Sequence, residues 1–301
     1  MPFALVLLGL MLALAGCAGG DDEAQSRPEA GATPSAEPVT TPPAADAAIP
    51  HAPAALARRM TKTERGLDRA IDDWRDRGDL ARGAPPDEVT LYALDQQRIH
   101  LLLSQRVRLA HAVLARLPGT IAAHARASIR ARRLLGRLST PQPLARFATG
   151  PARPAGQLLR FYREAQRRFG VGWRVLAAVN LVESAFGRMR NHSTAGAQGP
   201  MQFIPATWAA YGLGGNIRDP HDAILGAANY LHANGAPRNY RVALYHYNPS
   251  SAYVNAVLAY ADRIRRDARN FFAYYAWQVF VRTPSGTRRI TGPRAGASAS
   301  P

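Results

Sequence analysis

Lysine and cysteine are nearly absent from this sequence. Of the 38 basic residues only Lys62 is a lysine, and Cys17 is the sole cysteine. One thiol excludes an intrachain disulfide and every Cys-x-x-Cys metal or redox motif. There is no His-Glu-x-x-His, no Walker lysine and no Gly-x-Ser-x-Gly elbow, and the glycine cluster Gly212–Gly215 lacks both the dinucleotide spacing and a preceding strand. These absences remove the common metal, nucleotide and serine-nucleophile chemistries, so no metal and no organic cofactor is expected. Acidic residues are also scarce, 21 against 38 basic ones, for a net charge of +17. That balance fits an anionic partner such as nucleic acid, an anionic lipid surface or an acidic wall polymer. A codon bias towards Arg and Ala explains it equally well. Cys/His finger spacings and aromatic RNP-like strands are missing too, which argues against nucleic acid.

The apolar run from Phe3 to Ala15 is shorter than the ~20 residues a bilayer-spanning helix needs, so it reads as the core of a signal peptide. Met1 to Val6 hold no Lys or Arg, a departure from the usual basic start of such a peptide. Leu14-Ala15-Gly16-Cys17 resembles the bacterial lipobox, which implies that Cys17 carries lipid and becomes the mature N-terminus. On this reading residues 1–17 are a lipoprotein signal peptide, and the chain sits in the cell envelope of a bacterium, outside the cytoplasm and tethered to a membrane by its N-terminal lipid. The alternative is a free thiol in an ordinary secretory signal.

Residues 18–60 are rich in Ala, Pro, Thr, Ser and acids without hydrophobic periodicity, and are expected to form a disordered linker. From residue 61 to 150 apolar positions recur at three and four residues, which predicts a helical domain. Pro85-Pro86 and Pro118-Gly119 punctuate it, and Asp87 stands where it would cap the long middle helix. No chemistry is evident there. A second boundary falls at Gly150-Pro151, and residues 151–281 form the next domain, helical through about Ile264. Trp277 to Val281 alternates like a strand, Pro284-Ser285-Gly286 signals a turn, and Thr287 to Ile290 fits a returning strand. Residues 282–301 are the C-terminal tail, disordered after Gly292. The fold class is therefore all-α with a small C-terminal β-hairpin.

With cofactors removed, carboxylate chemistry remains. Between Gln157 and Val281 the acids are Glu164, Glu183, Asp219, Asp222, Asp262 and Asp267. Glu164 lies four residues from Arg160 and Arg168 and reads as an ion-pair partner. Asp219-Pro220 followed by Asp222 reads as an N-cap, a proline at the first helical position and an acid at the third. Asp262 and Asp267 fall in an Arg-rich helical end. Glu183 differs: its neighbours are Ala177, Ala178, Val179, Leu181, Val182 and Phe186, with no basic residue within one turn. A carboxyl in apolar surroundings keeps its proton to higher pH, as a general acid requires. A partly exposed glutamate at a helix end is the competing reading of the same residues.

Three blocks then occur in order: Val182-Glu183-Ser184-Ala185-Phe186, Ala195-Gly196-Ala197-Gln198-Gly199-Pro200-Met201-Gln202-Phe203-Ile204-Pro205-Ala206-Thr207-Trp208, and Ala243-Leu244-Tyr245-His246-Tyr247-Asn248. Together they resemble the soluble lytic transglycosylase family, over about residues 157–270. The resemblance implies a lysozyme-like helical domain that cleaves peptidoglycan glycan strands between N-acetylmuramic acid and N-acetylglucosamine without water, leaving a 1,6-anhydro end. It implies that Glu183 is the catalytic acid and then base. Met201 and Gln202 would line the sugar cleft, Ser184 would support Glu183 or the substrate, Tyr247 would hydrogen-bond Glu183, and Asn248 would steady its loop or touch glycan. Phe203 and Trp208 are either sugar platforms or packing residues. The competing functions are a lysozyme-type hydrolase, with Asp219 or Asp222 as second carboxylate, a non-catalytic wall-binding lipoprotein, and a partner-recruiting protein working through residues 61–150.

Overall fold

The computed structural model describes residues 41–293. The stretch read as a signal peptide, Cys17, the part of the expected linker up to residue 40 and the tail from residue 294 onward lie outside the described residues. Within them there are eleven α-helices and one two-stranded antiparallel sheet, the helical class and hairpin that the pattern predicts. Among the described residues no helix is long and apolar enough to cross a membrane.

The first helix, α1 (Pro53–Arg77), begins inside the stretch read as linker. Pro53 is not a linker proline; it occupies the first helical turn, where its missing N–H costs nothing. Leu56, Met60, Leu67, Ile71 and Trp74 then recur on one face, and all five are buried. The next helix, α2 (Asp87–Gln105), starts at Asp87 itself, so Asp87 and Glu88 sit in the first turn, facing the positive end of the helix, and Asp87 is not the cap. α3 (Val107–Leu114) and α4 (Gly119–Leu138) complete the first half. After Gly150 come α5 (Ala155–Phe169), α6 (Trp173–Ser184), α7 (Pro205–Tyr211), α8 (Pro220–Ala233), α9 (Tyr240–Tyr247), α10 (Ser251–Arg266) and α11 (Arg269–Ala276).

The core continues across the boundary at residue 150. One cluster of buried side chains includes Leu67, Ile71, Trp74, Tyr92 and Ala131 from the first half and Tyr162, Leu176, Phe186, Val257 and Phe271 from the second. α10 packs on both α4 and α6, and this contact sets the helices of the first half beside the second. A smaller cluster, Leu56, Met60, Ile99, Leu103, Val113 and Ile129, closes the far end of the first half.

The hairpin is shifted from its expected register. β1 (Phe280–Thr283) pairs with β2 (Gly286–Arg289), Val281 facing Arg288. Trp277 and Gln278, which alternate like strand residues, bind α2 instead. The Gln97 side chain donates to the Gln278 carbonyl and accepts from the Gln278 N–H, both at 2.8 Å, while the Trp277 indole donates to Gln96 at 2.9 Å. A side-chain amide thus takes the place of a neighbouring strand.

Candidate active site

α6 delivers Glu183 to its last turn, and the chain then reverses through three residues in the left-handed region: Ala185 (φ 50°), Phe186 (φ 61°) and Gly187 (φ 80°). A left-handed bulky residue such as Phe186 is costly. Here burial offsets the strain: the Phe186 ring is 2% exposed and packs edge-on against Phe271 at 5.7 Å. The sharp exit leaves Glu183 half-buried at the helix end, where a cavity of about 1080 Å³ opens on it.

Burial pushes the Glu183 carboxyl up from 4.5 to about 7, against the opposing effect of a hydrogen bond from Tyr253. The negative end of α6 acts in the same direction as burial. The Tyr253 hydroxyl donates to Glu183 Oε1 at 2.6 Å. This corrects the expectation for Tyr247. Its hydroxyl donates to the Met201 carbonyl at 2.6 Å, although it lies close enough for Glu183, after burial, to raise its own proton affinity. The difference is one of helix placement: Tyr247 ends α9, whereas Tyr253 lies in the first turn of α10, whose N-cap Ser250 accepts a hydrogen bond from the Tyr253 N–H at 3.3 Å.

The segment Gln198 to Phe203 forms a tight turn. Gln198 and Phe203 exchange backbone hydrogen bonds at 2.8 and 2.9 Å, and the Gln202 N–H returns to the Gly199 carbonyl at 3.1 Å. Two carbonyls of the turn are clamped. That of Pro200 accepts from Ser184 Oγ at 2.5 Å and from Asn180 Nδ2 at 2.7 Å; that of Met201 accepts from Tyr247. Ser184 is buried and also accepts from the Gly187 N–H at 2.8 Å, so it fastens the turn to the residues after Glu183. Met201 does not line the cleft with its side chain: it is fully buried in the core. Gln202 is half-buried in the left-handed region (φ 50°), its side chain donating to the Gly199 carbonyl at 3.0 Å. Asn248 is the C-cap of α9, and its carbonyl accepts from the Ser250 N–H at 2.7 Å, so its backbone links α9 to the cap of α10. Phe203 and Trp208 pack edge-on at 5.2 Å, Phe203 being buried.

Sequence reasoning missed Tyr253 and Asn180. Tyr253 is an ordinary core aromatic in the periodicity of α10. Asn180 had a usable signal, a polar residue four positions before Ser184 inside the apolar run of α6.

The other acids are committed elsewhere. Asp219 caps α8, accepting from the N–H groups of His221 and Asp222, as the spacing predicts. Asp222 accepts from the Asn216 N–H at 2.8 Å. Glu164, expected beside Arg160 or Arg168, lies 3.1 Å from His221 Nε2. Asp262 accepts from Arg265 and Arg266, and Asp267 from Arg269. Among the described residues lining the cavity, Glu183 is the only carboxylate. Much of the remaining wall comes from α2, α4, the segment after α11 and the C-terminal hairpin, including Leu101, Leu135, Trp277 and Phe280. What the arrangement can do is hold one proton at neutral pH, aim it into a cleft, and take a proton back.

Comparison with known families matches residues 160–270 to the transglycosylase SLT domain. No match is found among curated proteins or among solved structures.

Proposed function

We propose that the protein, whose residues 160–270 match the transglycosylase SLT domain, cleaves peptidoglycan glycan strands non-hydrolytically, with Glu183 acting first as general acid and then as general base. The observation that carries this is a single cleft-facing carboxyl, pushed up to about 7 and held by Tyr253. Protonated Glu183 gives its proton to the glycosidic oxygen as the bond from that oxygen to C1 of N-acetylmuramic acid breaks. The acetamido group of the same sugar stabilises C1. Glu183, now a carboxylate, removes the proton from the C6 hydroxyl while that oxygen bonds to C1, closing a 1,6-anhydro ring. The proton balance returns to its start and no water is consumed. Direct displacement by water or by the enzyme ordinarily needs two carboxylates flanking the bond. A cleft in which Glu183 is the only carboxylate among the described lining residues favours the substrate-assisted route.

Mass spectrometry of digested wall tests this. Muropeptides ending in 1,6-anhydro rings, lighter by one water than hydrolytic products, are the expected result. Reducing ends throughout would replace this mechanism with a lysozyme-type hydrolase, and an inert protein that still binds wall would leave a non-catalytic lipoprotein.

Envelope anchoring belongs to the same proposal. Leu14-Ala15-Gly16-Cys17 supports lipidation at Cys17, and Cys17→Ser is expected to move the protein from the membrane pellet to the soluble secreted fraction. An unchanged pellet together with an unacylated mature N-terminus would remove the anchor from the proposal.

A further inference from the structure

The cavity that opens on Glu183 is lined by four arginines, Arg132, Arg133, Arg137 and Arg282, against that one carboxylate. Two of them are held by backbone. Arg133 donates to the carbonyls of Leu103 and Ser104, both at 2.9 Å, at the end of α2. Arg282 donates to the carbonyls of Gly136 and Ser139 at 2.8 and 2.6 Å, at the end of α4. Arg137 is exposed to solvent. Arg132 is different. It is half-buried, its guanidinium lies 5.2 Å over the Trp277 ring, and its Nε is buried with no hydrogen-bond partner among the described residues.

Stacking on an indole stabilises a cation but uses none of its N–H donors. Burial pulls the Arg132 guanidinium below its ordinary value, and an anion beside it would reverse that effect. A planar guanidinium fork set over an aromatic ring suits two-point binding of a carboxylate. The causes of the Glu183 shift are burial and Tyr253, and Arg132 is not among them.

We infer that Arg132, seated on Trp277, is a specificity residue that binds a carboxylate carried by the muramyl units of the strand. This rests on the glycan-strand reading above. Two sources offer that chemistry: carboxylates of the stem peptide, and the lactyl carboxylate uncovered when the peptide is removed. The assignment gives the helices before residue 150 a share in substrate choice, since Arg132 belongs to α4 and Trp277 follows α11.

The test measures binding, apart from turnover, in the full-length Glu183→Gln protein. Its ligands are peptide-bearing strands, amidase-stripped strands, and strands whose carboxylates have been converted to amides. Adding Arg132→Gln is expected to raise Kd on carboxylate-bearing strands about tenfold or more, as for loss of a charge-assisted hydrogen bond, with Arg132→Lys intermediate. On amidated strands Arg132→Gln should change nothing further. Affinity kept after amidase treatment identifies the lactyl carboxylate, and affinity lost identifies the stem peptide; either supports the inference. An unchanged Kd, or an equal loss on amidated strands, would overturn it. Release of anhydro ends by the unmodified protein is scored separately, so binding that depends on Arg132 without anhydro products would sink the mechanism and spare this site, and the reverse result would do the opposite.

Discussion

Glu183→Gln is expected to lower turnover by ~10²–10⁴-fold, the range for removing a general acid–base group, while leaving the fold and glycan binding intact. Glutamine keeps the size of the side chain and can still accept the Tyr253 hydrogen bond, but it can neither give the proton nor recover it. The unmodified protein has a matching pH dependence. The first step needs protonated Glu183, whose value lies at about 7, so kcat/KM should fall about tenfold per pH unit above that point. Tyr253 works to lower that value, and Tyr253→Phe should therefore carry the alkaline limb to higher pH. Linkage adds a control. Because the folded value is raised from 4.5 to about 7, the unfolded chain ionises Glu183 first as pH rises, and folding loses stability through that window. Removing the carboxyl should then stabilise the protein above pH 7 by up to roughly 3 kcal/mol. An inactive variant with an unchanged or higher Tm identifies a chemical loss; near-normal activity in Glu183→Gln would overturn the mechanism.

Gly199→Ala is expected to have the largest structural effect of any single methyl group in the site. Gly199 opens the clamped turn at φ +73°, and a Cβ there would collide with the carbonyl oxygen of Ile217. Neither partner can swing aside, since both are backbone and Ile217 leads directly into the Asp219 cap of α8. Left-handed strain alone costs about 1–2 kcal/mol for an alanine, and displacing the two chain segments should take the total past about 3 kcal/mol. Gly196→Ala separates the two effects. That residue is also left-handed, at φ +81°, but its added Cβ meets nothing within 4 Å, so only the strain of about 1–2 kcal/mol should appear. Thermal unfolding of both variants decides the matter: equal losses would mean that the turn is not wedged against the segment before α8.

Much of the fold was legible because its signals are local. Helical periodicity marks the face of α1 within a few turns, and Asp219-Pro220 with Asp222 writes the start of α8 in four residues. The boundary at residue 60 failed for an equally local reason: proline is common both in linkers and at the first turn of a helix, and Pro53 does the second. The hairpin was displaced by something no pattern of alternation contains, the Gln97 amide that occupies the backbone of Gln278 across 181 positions of sequence.

By itself the sequence determined a helical protein with one unpaired glutamate in apolar surroundings, because caps, periodicity and the absence of neighbouring cations are properties of a few adjacent residues. Only the tertiary structure decided what that glutamate touches. Tyr253 reaches Glu183 across 70 positions, and whether it or Tyr247 does so depends on how α9 and α10 meet at Ser250. Met201 serves the site through its carbonyl while its side chain enters the core, a division invisible to residue identity. The first half of the chain carries no chemical motif of its own, yet the packing of α4 along α10 makes it a wall of the cleft. Burial, and with it the proton on Glu183, is produced by segments far apart in sequence, so it exists only once they have packed.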